Sequence, residues 1–441
     1  MAESLKPLTI LILYTTIYRT GGPKFKRAAR TMELEKAKQF PNHTIINRAV
    51  ESKDEFLQEI ENVKKSGSQI TEFHFIGHSG VYGIMFGTDK WPEQFSPFEW
   101  RNLEIPFTKD GHFYFHACRS GRWFAPFISR TLGVKASGNY WYTTFSLSLK
   151  SFKWEGYGKK DSPLYVISCP GKKSHGVFSS VRKYLGMSKA IPMLEFAPTD
   201  EKVDASYDSV ATLYDDTFDD ITVRKDEWDW LTRALGESSD KKILDIGCGN
   251  GAFLQKLSSR IGQGTGVDIS AGMLEQARKR CKLQPQLSFE KIDGPMLPFA
   301  DNSFDSVISV LSFRYLDWDP ILHEILRVLK PGGQFVVMDM VAAPVKLKEV
   351  PSFIKAKIQV FFQRFFQKKY WQALSKMVRD QRWQNMLKYN PMRSEHEMKW
   401  FLESRFPGQK TQLINIGWNS RILAFKSGPI HFKEVEKQVY P

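Results

Sequence analysis

Leu244-Asp245-Ile246-Gly247-Cys248-Gly249-Asn250-Gly251 decides how the second half of this chain is built. An apolar run beginning at Lys242 ends inside it, and a helical pattern opens after its last glycine. The stretch therefore reads as strand, glycine turn and helix. Without a Cβ, a glycine backbone turns tightly and lies close against a bound molecule. By itself the spacing is ambiguous, because Gly247, Gly249 and Ala252 also satisfy the dinucleotide fingerprint. Asp268 ends the next strand in Gly-Val-Asp-Ile-Ser, where a carboxylate grips a ribose diol in either fold through charge-assisted hydrogen bonds.

The segments that follow break the tie. Asp293 comes after a third strand, Leu297-Pro298-Phe299 precedes Asn302-Ser303-Phe304-Asp305-Ser306-Val307, and Arg327-Val328-Leu329-Lys330-Pro331-Gly332-Gly333 leads into a fifth strand. This ordered series resembles the class I S-adenosylmethionine-dependent methyltransferases, especially the small-molecule branch that includes the quinone-biosynthesis C-methylases. The resemblance implies a Rossmann-like seven-stranded sheet and S-adenosyl-L-methionine as cofactor. It places Asp245, Gly247, Cys248, Gly249 and Gly251 along the methionine and ribose, Asp268 on the ribose hydroxyls and Ile269 against the adenine. Asp293 and Gly294 would meet the adenine edge, and Ser309 and Val310 the sulfonium end. Tyr207 and Tyr214 look like the leading helix that caps the site in related enzymes; as residues alone they read equally well as ordinary amphipathic-helix aromatics. No catalytic base is expected here, since the cofactor carries an already activated methyl group.

Outward from this core, 441 residues suit two domains, each an α/β layer sandwich. Strands alternate with helices in both halves, and residues 191–204 lack periodicity and read as the linker between domains 1–190 and 205–441. In the first half the strand candidates are Leu8–Tyr14, Thr44–Arg48, Glu72–Ile76, His112–His116 and Leu164–Cys169. No stretch reaches the roughly 20 apolar residues of a membrane span. Four scattered cysteines suggest neither a disulfide framework nor a zinc knuckle, so a cytoplasmic setting is expected.

The net charge of +15 is uneven: residues 201–340 carry 16 basic and 23 acidic side chains, residues 341–441 carry 19 and 7. In 345–390, Ile354, Ile358, Phe361, Phe362 and Phe365 fall on one helical face among Lys and Arg. This helical insertion is expected to be a lid or packing surface, with peripheral membrane contact as the alternative. No nucleic-acid module frames it, so nucleic acid is not an expected partner. The expected acceptor is a small or lipid-like molecule.

Two strand ends stand out in the first half. Phe73-His74-Phe75-Ile76-Gly77-His78-Ser79-Gly80 ends in a histidine and glycine, and Gly111-His112-Phe113-Tyr114-Phe115-His116-Ala117-Cys118-Arg119-Ser120-Gly121 ends in a cysteine. Neighbouring parallel strands bring such ends together, where Cys118 would serve as nucleophile and His78 as its base. The pair resembles the caspase-like cysteine peptidases, the clan that also holds gingipains, separase and CHAT domains. The likeness implies an oxyanion contact from the Gly80 backbone and a protein substrate. Ser79 between histidine and glycine, and His116 before alanine, depart from the caspase pattern, which leaves an active and a degenerate domain both open. A lipase elbow is excluded, because Val81 stands where that motif needs glycine. His74, His112 and His116 have no carboxylate at ligand spacing, so no metal is expected. A second organisation of the whole would be a cofactor-sensing regulator in which the methyltransferase fold gates the peptidase.

Overall fold

The computed structural model describes residues 6–430 apart from 81, 153–159, 170–180, 183–184, 200–205, 220, 237–238, 344 and 418–419. The chain divides into two compact units, Met1–Lys202 and Val203–Pro441.

In the first unit β1 (Leu8–Tyr14) is apolar at nearly every position because both its faces are covered. Ile10, Ile12 and Tyr14 meet the helix Gly22–Gln39, while Leu11 and Leu13 join Phe56, Ile60 and Val63 of the helix Lys53–Lys65. Ser52 caps that second helix by accepting from the Glu55 amide. β2 (Thr44–Ala49) and β3 (Gln69–Ile76) flank β1. Between β3 and β6 (Phe107–His116) runs a short hairpin of β4 (Phe86–Gly87) and β5 (Pro92–Glu93). With β7 (Lys135–Gly138), the sheet order is β2-β1-β3-β6-β7, all parallel.

Two expectations change here. Residues 164–169 do not add to the main sheet: β8 (Tyr142–Ser146) and β9 (Tyr165–Cys169) form a separate antiparallel pair. Nor are residues 191–204 all linker, because β10 (Leu194–Phe196) pairs antiparallel with β7. Three residues are too few to show the alternation that marks a strand in sequence. The end of the expected linker, 200–204, lies outside the described residues.

The second unit is a seven-stranded sheet. β11 (Lys242–Ile246), β12 (Gln263–Asp268), β13 (Leu287–Lys291), β14 (Phe304–Val310), β15 (Leu329–Ala342), β16 (Gln412–Ile416) and β17 (Ser420–Lys426) lie in the order β13-β12-β11-β14-β15-β17-β16. Only β17 runs antiparallel to its two neighbours. The order reverses between β11 and β14, which opens a crevice at their carboxyl ends. Leu244, Ile246, Val307 and Phe335 build the core on one face, with Ile243, Ile308, Val336 and Met338 on the other.

After β15 the chain leaves the sheet as three helices, Val350–Phe366, Lys368–Arg379 and Gln381–Tyr389. It returns where it left: Ala342 bridges to Ser394, and its amide donates to the Arg393 carbonyl at 2.8 Å. The fully buried Arg421 of β17 clamps this junction by donating to Glu349 at 2.9 Å and pairing with Glu395 at 3.1 Å. The insertion divides in two. Tyr370, Leu374, Met377, Trp383 and Met386 pack against Tyr207, Tyr214 and Phe218. Ile354, Ile358, Phe361, Phe362 and Phe365, expected to pack, are exposed, and no residue of their helix is buried. No described helix is long and apolar enough to cross a membrane.

Candidate functional site

The turn after β11 is held open by its glycines. Gly247, Gly249 and Gly251 have φ of 73°, 53° and 72°, the left-handed region that disfavours side chains. At Gly247 a Cβ would sit 2.4 Å from the Cβ of Ser312, so that glycine is required by packing. At Gly249 a Cβ would meet nothing within 4 Å, which leaves open room beside the turn.

Two carboxyl groups lie beside this turn, near the ends of β11 and β12. Asp268 accepts from the Gly249 and Ser270 amides, each at 2.9 Å, so the turn and the end of β12 lock each other. Asp245 is buried, and its Oδ1 has no hydrogen-bond partner. Burial first, and the neighbouring Asp268 second, push the Asp245 carboxyl up to about 8. A buried, unanswered acceptor beside a second carboxylate is a place prepared for a cationic or N–H-rich group. S-adenosyl-L-methionine carries both a sulfonium and an α-ammonium, so these residues fit it. Ile269, 54% exposed next to Asp268, is an aliphatic surface of the kind that lies against a purine.

The leading segment is tied over this turn. Asp208 accepts from the Ser270 hydroxyl at 2.6 Å and the Gly272 amide at 2.8 Å, and Asp215 accepts from Asn250 at 2.9 Å. Tyr214 lies in the helix Ala211–Thr217 and Tyr207 just before it. Burial raises both phenols above their usual range, so they stay neutral. The Tyr207 and Tyr315 hydroxyls are 3.1 Å apart.

The remaining expected residues lie as follows. Asp293 is largely exposed and pairs with Lys291 at 2.5 Å, beside Gly294. The Ser309 hydroxyl donates to the Ile246 carbonyl at 3.0 Å and meets the Ser312 hydroxyl at 2.8 Å, and Val310 is buried. Ser309 thus braces the turn from behind. Cys248 is also buried, its thiol pushed well up by burial and then by the two aspartates. Leu311 follows with φ 60°, strained backbone of the sort found where a strand end is bent toward a ligand.

Sequence reading missed a buried ion pair between Arg314 and Asp339, whose Oδ2 also accepts from the Arg314 amide at 2.5 Å. It also missed Asp208. Arg314-Tyr315 just after the fourth strand was a readable signal, whereas the partner 25 residues away was not.

In the first unit Ile76 of β3 lies beside His116 of β6, so the two following loops are neighbours, and the Ser79 hydroxyl donates to the Cys118 carbonyl. The His78 ring sits against Tyr18 and Phe25, and its Nε2–H donates to the Thr20 carbonyl at 2.9 Å. That bond leaves Nδ1 as the basic nitrogen. Burial, against the pull of Thr20, lowers the pKa of His78. The Cys118 sulfur is 3.1 Å from the Thr143 hydroxyl and 3.3 Å from the Thr143 amide, and Arg119 follows with φ 59°. The Gly80 amide is a correction. It donates to the Gly83 carbonyl at 2.8 Å and so is not free to hold an oxyanion.

The histidine strands need a second correction. A carboxylate does join them: Glu72 accepts from His74 at 2.9 Å, and His74 meets His116 at 3.1 Å. Lys36 fills the other side of Glu72 at 2.6 Å. Burial opposes ionisation, but His74 and Lys36 hold Glu72 down to about 2. Among the described residues no cluster has the make-up of a metal site.

A family model described as a methyltransferase domain matches residues 244–337. A demethylmenaquinone methyltransferase of Clavibacter sepedonicus is 35% identical over 150 residues, 33% of this chain and 61% of that protein. The ubiquinone/menaquinone biosynthesis C-methyltransferase UbiE of Desulfotalea psychrophila is 36% identical over 146 residues, 31% of this chain and 57% of that protein. The chain thus spans less than two thirds of the length of these curated relatives. Among solved structures, a SAM dependent methyltransferase from Aquifex aeolicus covers 51% of this chain and 99% of its own at 17% identity and a TM-score of 0.34. The C-terminal part of the chain carries a class I S-adenosylmethionine-dependent methyltransferase domain, and S-adenosyl-L-methionine is its cofactor.

Proposed function

We propose that the C-terminal unit methylates an apolar, quinone-like small molecule. The observation that carries methyl transfer is the unpartnered Asp245 oxygen behind an open glycine turn latched by Asp268. The acceptor class rests on the likeness to demethylmenaquinone methyltransferases and on the aromatic wall of Tyr207, Tyr214, Phe218, Tyr370 and Trp383. When bound, the cofactor supplies a methyl group activated on a sulfonium. The chain's share of the work is positional. Asp245 and Asp268 answer the cofactor's positive and hydroxyl groups. The tethered helix Ala211–Thr217 and the helices packed on it exclude water and hold the acceptor in line. Incubating the full chain with methyl-labelled cofactor and a demethylmenaquinone analogue tests this. Label should enter the quinone ring and vanish in Asp268→Ala. Label entering protein or a water-soluble metabolite instead would refute the acceptor class.

A second reading concerns the first unit. His78 and Cys118 end neighbouring parallel strands, with Nδ1 of His78 left as a base, which supports a cysteine peptidase of the caspase-like kind. In that reaction the Cys118 sulfur bonds to a peptide carbonyl carbon and the amine departs with the proton passed through His78. Water then releases the acid from the thioester. A fluorogenic peptide library tests it, with Cys118→Ala as control. Cleavage that also required the methyl donor would favour the gated-regulator organisation.

A further inference from the structure

The helix Val350–Phe366 presents an apolar stripe that nothing among the described residues covers. Ile354, Ile358, Phe361 and Phe365 stand at i, i+4, i+7 and i+11, one line along a helix, with Phe362 and Phe366 beside it. They are 52%, 53%, 70%, 68%, 54% and 78% exposed. The half-buried positions Phe353, Ala356, Val360, Gln363 and Gln367 follow the same period on the opposite side, so the stripe points away from the body.

Cations gather beside the stripe. Residues 345–390 contain eleven Lys or Arg against two acids, and both acids are already answered, Glu349 by Arg421 and Asp380 by Arg382. Where this helix meets the next, a groove of about 510 Å³ is lined by Arg364, Lys368, Trp371, Lys376 and Arg379. Arg364 lies over the Trp371 ring at 4.8 Å, and the buried indole Nε1 of Trp371 has no hydrogen-bond partner. Among the described residues no carboxylate pairs with Arg364, Lys368 or Arg379. Lys376 also borders a groove with Asp215, Asp216 and Asp219 on its other side.

We propose that this helix and the groove behind it dock on the surface of an anionic lipid bilayer. The aromatic and aliphatic stripe enters the interface, and Arg364, Lys368 and Arg379 take the lipid phosphates. A second copy of the chain is disfavoured as occupant, because stripe-on-stripe pairing would bring like charges together and the helix Val350–Phe366 carries no acidic residue of its own. Nucleic acid has use for the cations and the stacked rings but none for Ile354 and Ile358. Interfacial helices have this composition, large apolar residues on one side and Lys and Arg around them. The proposal stands apart from the methyl-transfer reading, since none of these residues lies at the cofactor turn.

The test is co-sedimentation of the full chain with phosphatidylcholine vesicles, with and without about 30% phosphatidylglycerol. Wild type should bind the anionic vesicles at least about tenfold more tightly. Phe361→Ser with Phe365→Ser should lose that binding at low salt, as should Arg364→Glu with Lys368→Glu. Donor binding by calorimetry, unchanged in both pairs, shows that the fold survives. Three results would overturn the proposal: no preference for anionic vesicles, full binding by the serine pair, or a dimer in solution that the serine pair dissolves while vesicles are ignored. Tighter capture of single-stranded RNA than of vesicles would overturn it as well.

Discussion

At the carboxyl edge of β11, Asp245 keeps a buried oxygen without a partner, and its turn is open where a Gly249 side chain would stand. At the carboxyl edge of β6, the Cys118 sulfur is engaged by Thr143, and the Gly80 amide is spent on Gly83. Both sites exploit the same rule, that parallel strands end together and release their loops on one side. They differ in what is left unanswered. An unanswered buried carboxyl is relieved either by taking up a proton or by a ligand that pairs with it, so it marks a binding site strongly. A cysteine whose neighbours already hold it marks a reactive centre only weakly.

The contrast is broken most directly at Asp268. Asp268→Ala should weaken donor binding by at least about 100-fold in calorimetry, since it removes both the latch on Gly249 and a charge-assisted acceptor. Cys118→Ala should leave that affinity unchanged; equal losses in the two variants would mean that the sites are not separate. Next come the glycines. Gly247→Ala forces a Cβ onto Ser312 and should cost about 2–4 kcal/mol in urea unfolding of the C-terminal unit. Gly133→Ala, with φ 66° but open space around it, carries only the backbone penalty of about 1–2 kcal/mol.

The pH dependence sharpens the same comparison. The folded pKa of Asp245 lies above its unfolded value, so its proton stabilises the donor-free protein. That contribution is complete below the unfolded pKa and is lost as pH climbs through about 8. A cation beside Asp245 favours the ionised form, so donor binding near neutral pH should expel a proton. Calorimetry in buffers of different ionisation enthalpy should detect it below about pH 8 and no longer near pH 9. Asp245→Asn should abolish it; a release that persisted would place the proton elsewhere. The smallest effect is at Cys118, where Thr143→Val removes one hydroxyl contact and should raise the rate of iodoacetamide alkylation severalfold.

The second sheet was largely legible. β11 begins at Lys242, where its apolar run begins, Asp268 ends β12, and Asp293 follows β13, as the motif order implied. The shortest strands were not: β7 and β10, of four and three residues, carry too few to show a period. Single side chains at the site were read from position in a motif, which says where a residue sits but not what its atoms touch. Asp293 turned to Lys291 and Gly80 turned to Gly83 are both outcomes of local bonding. Arg314 with Asp339, and Glu72 with His74, needed the folded sheet to bring them together. The exposure of Phe361 and Phe365 was equally invisible, since an amphipathic period reports a stripe and not what lies across from it.

The junction at Ala342 and Ser394 has a topological consequence. Because the helical detour departs and rejoins at one point, its length can change without shifting the register between β15 and β17, so long as Glu349 stays to answer the buried Arg421. Excising it and closing the gap with a short loop would bare Tyr207 and Tyr214, yet would sever no strand pairing. The detour is thus a side branch of the sheet: its helices hang from one junction, and the strands that carry the glycine turn pair without it.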